Sequence, residues 1–69
     1  MTSAEMVSDA LLQRIRAEFI EMPGLRVTLR QAARLFHLDP VACDVALRIL
    51  TEDGFLARGT RDGYRRAEV

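Results

Sequence analysis

The chain of 69 residues lacks most of the features that would assign a chemistry to it directly. It holds one cysteine, one histidine, no lysine and no tryptophan, and its four glycines stand singly. A single cysteine excludes an internal disulfide, and one cysteine with one histidine is too few for the three or four ligands of a zinc site. Isolated glycines also exclude a glycine-rich phosphate loop. We therefore expect neither a metal nor a cofactor.

Long apolar runs are absent as well. No stretch approaches the roughly 20 apolar residues of a membrane-spanning helix, because Arg14 and Arg16 interrupt the segment with the strongest helical pattern. The chain also begins without the basic start and apolar core of a secretory signal. These observations predict a cytoplasmic protein that has no membrane partner.

Neither sign of charge is in excess, since ten arginines balance ten acidic residues. Affinity for nucleic acid would therefore have to come from the local placement of charge. Residues 1–22 contain four acidic residues and two arginines, whereas residues 55–69 contain four arginines and two acidic residues. The two ends of the chain thus carry net charges of −2 and +2, which predicts a polarised molecule.

Two helical patterns separated by a short turn predict a helix-turn-helix at about residues 29–53. Thr28 and Gln31 have the spacing of a capping box, and Asp39 followed by Pro40 is typical of a helix start. Helical spacing gives each helix one apolar stripe, which is expected to face inward. The stripes are Leu29, Ala32, Ala33 and Phe36 before the turn, and Cys43, Ala46, Leu47 and Leu50 after it.

A first helix is predicted at about residues 4–22. Thr2 and Glu5 have capping-box spacing, and Ser8 offers a later start. The stripe expected to pack on the helix-turn-helix is Val7, Leu11, Leu12, Ile15, Phe19 and Met22. A second stripe is Met6, Ala10, Gln13, Ala17 and Ile20. This second stripe fits two interpretations equally, either a short coiled-coil seam for a homodimer or an ordinary amphipathic helix rich in alanine.

Short strands are predicted on either side of the helix-turn-helix. Residues 25–27 alternate as a minimal strand, and residues 55–58 and 64–67 predict a hairpin. Asp62 and Gly63 would supply the positive backbone angles of a tight turn. The predicted order is helix, strand, helix, helix, strand, strand. This is a single, mainly α domain over the whole chain, with a small antiparallel sheet in which the first strand lies along the hairpin.

Two runs of residues resemble the winged helix-turn-helix of bacterial transcription regulators: Q-A-A-R-L-F-H-L-D at the turn and D-G-F-L before the hairpin. The resemblance covers residues 8–67. The run M-P-G-L-R-V-T-L-R-Q-A-A-R-L, followed by Cys43, Leu47, Leu50 and G-F-L, is similar to short bacterial winged-helix proteins that usually carry no assigned function. One difference is His37, where the turn of this family often carries glycine.

The resemblance implies a small protein that binds double-stranded DNA and regulates transcription. The second helix of the motif would lie in the major groove, with Val41, Val45 and Arg48 facing the bases, and the hairpin, or wing, would contact the backbone or minor groove. The predicted phosphate contacts are Thr28, Arg30, Gln31, Arg34, Arg58, Arg61, Arg65 and Arg66. Free amides opening the helix after Thr28 would hold one phosphate, and Arg26 adds favourable charge nearby.

The predicted DNA-facing helix also carries Asp44 and Glu52, so its exposed face has a net charge of −1, a poor match to phosphates. An alternative function is therefore a winged-helix module that binds another protein through Val41, Val45 and the second stripe of the first helix. Catalysis is not expected, because Cys43 is predicted to be buried on a helix and so short a chain leaves little room for a substrate pocket.

Overall fold

The computed structural model describes residues 7–60 and 63–67. Within these residues it contains three helices and three strands, in the order that the sequence predicts. The elements are α1 (Asp9–Glu21), β1 (Val27–Thr28), α2 (Leu29–Leu35), α3 (Pro40–Glu52), β2 (Leu56–Arg58) and β3 (Gly63–Arg66). The predicted fold class, mainly α with a small antiparallel sheet, is confirmed.

Helix α1 begins at Asp9, later than the predicted start near residue 4. Ser8 is the N-cap, and its Oγ accepts a hydrogen bond from the Leu11 amide at 3.1 Å. A serine cap stabilises a helix start by satisfying an amide that has no partner inside the helix. Val7 is buried ahead of the cap. The later start at Ser8 is confirmed, and the predicted Thr2–Glu5 capping box lies outside the described residues.

Both predicted caps of the helix-turn-helix are confirmed. Thr28 Oγ1 accepts a hydrogen bond from the Gln31 amide at 3.1 Å, and Gln31 Oε1 accepts one from the Thr28 amide at 2.9 Å. Asp39 Oδ2 accepts hydrogen bonds from the amides of Val41 at 2.9 Å and Ala42 at 3.4 Å. Each N-cap of this kind contributes about 1 kcal/mol. Local side-chain chemistry therefore fixes where α2 and α3 begin.

The turn between α2 and α3 contains a residue in the left-handed region. His37 has a φ of 56°, and the amide of Leu38 donates back to the Ala33 carbonyl at 2.9 Å. This is the hydrogen bond of a Schellman motif, which usually has glycine at the left-handed position. His37 carries a Cβ, so its left-handed backbone is strained by about 1–2 kcal/mol relative to glycine.

Helix α3 ends with the same motif, here with glycine. Gly54 has a φ of 87°, and the amide of Phe55 donates to the Leu50 carbonyl at 3.0 Å. Phe55 packs against the core as the chain enters β2. The left-handed glycine thus turns the chain from α3 into the sheet.

One core joins the helices to the sheet. Its buried residues are Val7, Ile15, Phe19, Val27, Ala32, Ala33, Phe36, Cys43, Ala46, Leu47, Leu50, Leu56 and Tyr64. The inward stripe of α3 is confirmed, since Cys43, Leu47 and Leu50 are fully buried. The prediction that Met22 belongs to the buried stripe of α1 is wrong. Met22 is 42 % exposed, because it is the C-cap, where the backbone leaves the helix.

The three strands form an antiparallel sheet in the order β1–β3–β2. Val27 pairs with Tyr64, and Leu56 pairs with Arg66. The prediction that the first strand lies along the hairpin is confirmed, but this strand comprises Val27–Thr28 and not residues 25–27. Its end shifts because Thr28, the N-cap of α2, has an extended backbone and pairs with Gly63.

The hairpin differs from the prediction at its turn and its bounds. Gly63 lies in β3, and the only glycine with a positive φ within residues 7–60 and 63–67 is Gly54. The loop closes through a 2.7 Å hydrogen bond from the Gly59 amide to the Gly63 carbonyl. The predicted two-residue turn at Asp62 and Gly63 is therefore wrong at Gly63, while Asp62 lies outside the described residues. Strands β2 and β3 lie within one residue of their predicted bounds.

Gly54→Ala should destabilise the fold by about 1–2 kcal/mol, because alanine disfavours the left-handed backbone. A Cβ at Gly54 meets nothing within 4 Å, so a steric clash does not contribute. Gly24→Ala is a matched control, since a Cβ there also meets nothing within 4 Å and its φ is not positive. The free energy of unfolding in urea should change by less than about 0.5 kcal/mol in this control. Equal losses of stability in both variants would contradict the role assigned to the left-handed backbone of Gly54.

Candidate nucleic-acid interface

The outer face of α3 is the surface that the sequence predicts to face the bases. Val41 is 59 % exposed, and Arg48 and Glu52 are exposed as well. Val45 differs from the prediction, because it is half-buried and packs against the core. Val41 and Arg48 are therefore the accessible predicted base contacts, and Val45 contributes mainly to packing.

Arg48 shares this face with an acidic neighbour one helical turn earlier. Its Nη1 lies 3.8 Å from Asp44 Oδ2, and the Arg48 side chain is 63 % exposed. Exposed pairs at this spacing contribute about 0.3–0.5 kcal/mol. The pair is weak enough for a nucleic acid to compete for the guanidinium, although the Asp44 carboxylate would repel nearby phosphates.

A second group of arginines converges on the sheet. Because Val27 pairs with Tyr64, Arg26 and Arg65 occupy neighbouring positions beside that pair. They line an open cleft of about 760 Å³ together with Arg58, Gly59, Thr60, Gly63 and Tyr64. Three guanidinium-bearing residues around one cleft can bind anions through charge-assisted hydrogen bonds.

This cleft continues on both sides into smaller depressions. On one side Arg26, Thr60 and Gly63 border a depression with Thr28 and Gln31. On the other side a depression is lined by Arg48, Thr51, Glu52, Arg58 and Tyr64. We define the arginine band as six residues along these three depressions: Arg26, Thr28, Gln31, Arg48, Arg58 and Arg65. The band runs from the start of α2 across the sheet to α3.

Two arginines of the band are held by contacts within the fold. The Arg58 guanidinium carbon lies 5.4 Å from the centre of the Tyr64 ring, which is buried beneath it. Arg65 Nη1 donates a hydrogen bond to the Arg66 carbonyl at 3.1 Å. Such contacts restrict side-chain rotamers, which reduces the entropy lost when a ligand binds. Arg58 and Arg65 are therefore oriented towards the cleft by neighbouring groups.

Arg66, another predicted phosphate contact, has a different environment. Its guanidinium carbon lies 4.6 Å from the centre of the Phe55 ring, and that of Arg16 lies 5.8 Å from the same centre. Arg16 Nη2 also pairs with Asp53 Oδ2 at 2.9 Å. This cluster connects α1, the end of α3 and β3. Arg66 is half-buried within this cluster and also lines a small depression with Arg26 and Arg65, so the structure gives it a packing role at the edge of the band.

The predicted phosphate site at the start of α2 is modified by the capping box. The amides of Thr28 and Gln31 donate to side-chain oxygens of the box and are not free for a ligand. The Gln31 side chain is exposed, but its Oε1 is engaged in the cap. Thr28 and Gln31 border the arginine band, and the predicted phosphate site at the amides that open α2 stays a prediction.

Arg30 and Arg34 lie on a different surface of α2 from the arginine band. Both are exposed and border a groove whose other lining residues are Leu29, Ala33, Leu38 and Pro40. No lining residue of this α2 groove also lines the depressions of the band. The structure therefore does not bring Arg30 and Arg34 together with the hairpin arginines. The remaining predicted contact, Arg61, lies outside the described residues.

The second stripe of α1 is uncovered where the structure describes it. Ala10, Gln13, Ala17 and Ile20 are all exposed, and Ile20 is 57 % exposed. Met6 lies outside the described residues. An exposed face of this kind is compatible with either predicted interpretation, so the homodimer seam stays a prediction.

The sequence identifies Arg26 as favourable charge near the site but does not predict it as a site residue. Its position follows from the pairing of β1 with β3, which brings together residues almost forty positions apart along the chain. Periodicity within a segment carries no information on such pairing. The predicted pairing of the first strand with the hairpin, together with a register for that pair, would have placed Arg26 beside Arg65.

Cys43 has no chemistry that adds to this surface. It is fully buried in the core, and burial raises the pKa of its thiol from 9.0 to about 11, with a further contribution from the Asp44 carboxylate. A buried thiol that stays protonated behaves as a small apolar side chain. Among residues 7–60 and 63–67, no group of three histidine, cysteine, aspartate or glutamate side chains could hold a metal ion.

Comparison with protein-family models, curated proteins and solved structures gives no match to this chain. The part of the chain that the structure describes has no helix with the length and apolar character needed to span a membrane. The geometry of the arginine band and of the α2 groove is therefore the basis for proposing a function.

The buried Cys43 thiol should make stability depend on alkaline pH. Because its folded pKa lies above its unfolded value, its contribution is fully present below pH 9.0 and is lost by about pH 11. The loss should not exceed about 3 kcal/mol. Urea unfolding across this pH range measures the loss, and Cys43→Ala removes this component. Identical pH dependence in the parent protein and in Cys43→Ala would contradict the assignment of this loss to the Cys43 thiol.

Proposed function

We propose that this protein is a small winged-helix DNA-binding protein that acts as a transcriptional regulator. The observation that supports this proposal best is the arginine band, in which the basic residues of three separate elements border one continuous surface. A continuous strip of guanidinium groups is the electrostatic footprint that phosphate backbones require.

In the proposed complex α3 enters the major groove and the hairpin lies against the backbone. Arg48 donates to guanine, and the exposed Val41 contacts a thymine methyl group. Arg26, Arg58 and Arg65 contact phosphates, which set the register of the protein without reading sequence. The helix supplies specificity and the sheet supplies most of the affinity.

The acidic residues on α3 limit this affinity. Asp44 is paired with Arg48, and Glu52 lines the same depression as Arg48 and Arg58. Both carboxylates would face a phosphate backbone if α3 entered the groove, and like charges at close range oppose binding. We therefore propose that binding is weak at physiological salt unless the site supplies favourable base contacts.

A homodimer would strengthen such binding by presenting two recognition helices to adjacent half-sites. The uncovered stripe of α1, with Ile20 57 % exposed, supports this part of the proposal. A regulator of this kind would act in the cytoplasm, where it reaches bacterial DNA.

The second candidate function is a winged-helix module that binds another protein and not DNA. The exposed Val41 and Ile20, at 59 % and 57 %, favour it as apolar contacts. The half-buried Val45 is less suited to the role that the sequence predicts for it.

Combining Arg26→Ala with Arg58→Ala should weaken binding to duplex DNA of any sequence. The slope of log affinity against log salt should fall by about 0.9 for each phosphate that the variant no longer neutralises. Fluorescence anisotropy of a labelled duplex over a series of NaCl concentrations measures both quantities. Arg14→Ala, on the exposed side of α1, is the matched control and should leave the slope unchanged. A double variant with the parental slope would refute the proposed contacts.

Glu52→Gln should strengthen binding to the same duplex by about two- to fivefold, the effect expected for removing one exposed repulsive charge. Glu52 is exposed, so the change should leave the fold intact. Glu21→Gln removes an exposed carboxylate at the end of α1 and should have little effect. The prediction fails if Glu52→Gln leaves the affinity unchanged or if both variants strengthen binding equally.

A further inference from the structure

The α2 groove has an apolar floor and a basic rim. Leu29 and Leu38 are half-buried, Ala33 is buried and Pro40 is exposed, and together they leave an open groove of about 410 Å³. This volume lies within the range of pockets that accept apolar groups. The floor is formed where α2 packs beside the start of α3, so it is rigidly supported by the helix-turn-helix.

The basic rim consists of Arg30 and Arg34, which lie one helical turn apart on α2. Side chains at this spacing have Cβ atoms about 6 Å apart on the same face of a helix. The nearest acidic residue along the chain is Asp39, whose carboxylate accepts hydrogen bonds from two amides at the start of α3. The rim presents two positive charges beside an apolar surface, and with the Asp39 carboxylate next to it the local net charge is +1.

This combination fits a protein segment better than a phosphate backbone. Phosphates are hydrated and would leave Leu29, Leu38 and Pro40 without apolar partners. An amphipathic helix with an acidic flank matches both halves of the groove, because its apolar stripe covers the floor while carboxylates one turn apart meet the two guanidinium groups. We propose that the α2 groove docks an acidic amphipathic helix of another protein.

The groove and the arginine band share no lining residue, so the two surfaces can be tested separately. The proposal goes beyond DNA binding and does not depend on it. Docking at the groove would give so small a domain a means of recruiting a partner. It also gives a role to Arg30 and Arg34, which line none of the depressions of the band.

A synthetic peptide of about 15 residues is a suitable probe, with leucine at helical spacing on one face and glutamate on its flanks. The labelled peptide should bind this protein with micromolar affinity by fluorescence anisotropy. Arg30→Glu combined with Arg34→Glu should weaken binding by about tenfold or more, since it replaces attraction with repulsion. NMR shifts on binding should be concentrated at Leu29, Ala33 and Leu38.

Two controls separate this site from general attraction between acidic peptides and arginine. A peptide of the same composition, scrambled to destroy the apolar stripe, should bind about tenfold more weakly. The Arg26→Ala and Arg58→Ala double variant should bind the original peptide normally. Equal binding of both peptides, or loss of binding in the band variant only, would overturn the proposal.

Two further outcomes would assign the groove to another occupant and would equally overturn the proposal. Sedimentation that shows self-association abolished in the Arg30→Glu, Arg34→Glu variant would assign the groove to a second copy. Loss of DNA binding in that variant, with no peptide binding by the parent protein, would assign Arg30 and Arg34 to phosphates. Circular dichroism checks that the variant is folded, as expected for two exposed substitutions.

Discussion

The start of α3 at Asp39 is the constraint on which the rest of the structure depends. The Asp39 carboxylate satisfies two amides at the first turn of α3, and this sets the rotation of the helix from its first residue. With that rotation Cys43, Leu47 and Leu50 are fully buried, while Arg48 is exposed. Because successive side chains on a helix are about 100° apart, a shift of one residue would expose the core stripe and bury charged positions. The cap therefore fixes where α3 begins, in agreement with the register that buries its apolar stripe and leaves Arg48 exposed.

Thr28 couples the sheet to the helices in a similar way. It pairs with Gly63 as the last residue of β1, and it caps α2 through the box with Gln31. A single residue thus connects the hairpin to the helix-turn-helix with almost no intervening chain. The start of α2 consequently borders the surface on which the pairing of β1 with β3 groups Arg26 with the hairpin arginines.

Features that depend on neighbouring residues are predicted more accurately from the sequence than features that depend on distant segments. The caps at Ser8, Thr28 and Asp39 depend on side chains within three residues of the amides they satisfy, and all three are confirmed. The exact bounds of β1 and the conformation of the hairpin turn depend on pairing between distant segments, and there the predictions deviate. Val45 has the spacing of an exposed residue, yet it packs against the core because neighbouring elements cover that flank of α3. The grouping of Arg26 with Arg58 has the same nonlocal origin.

Helix α2 has only seven residues, yet it separates two surfaces of different chemistry. Gln31 borders the arginine band, whereas Arg30 and Arg34 border the apolar groove. Both surfaces are attached to the same helix, which is capped by Thr28 and anchored in the core by Ala32 and Ala33. Coupling between two sites requires an element whose equilibrium both ligands shift. Because a helix held at its start and along its inner face resists displacement, we expect the free energies of binding at the proposed DNA surface and the proposed docking groove to add independently. A partner in the groove would then act by recruitment and not by altering the DNA contacts.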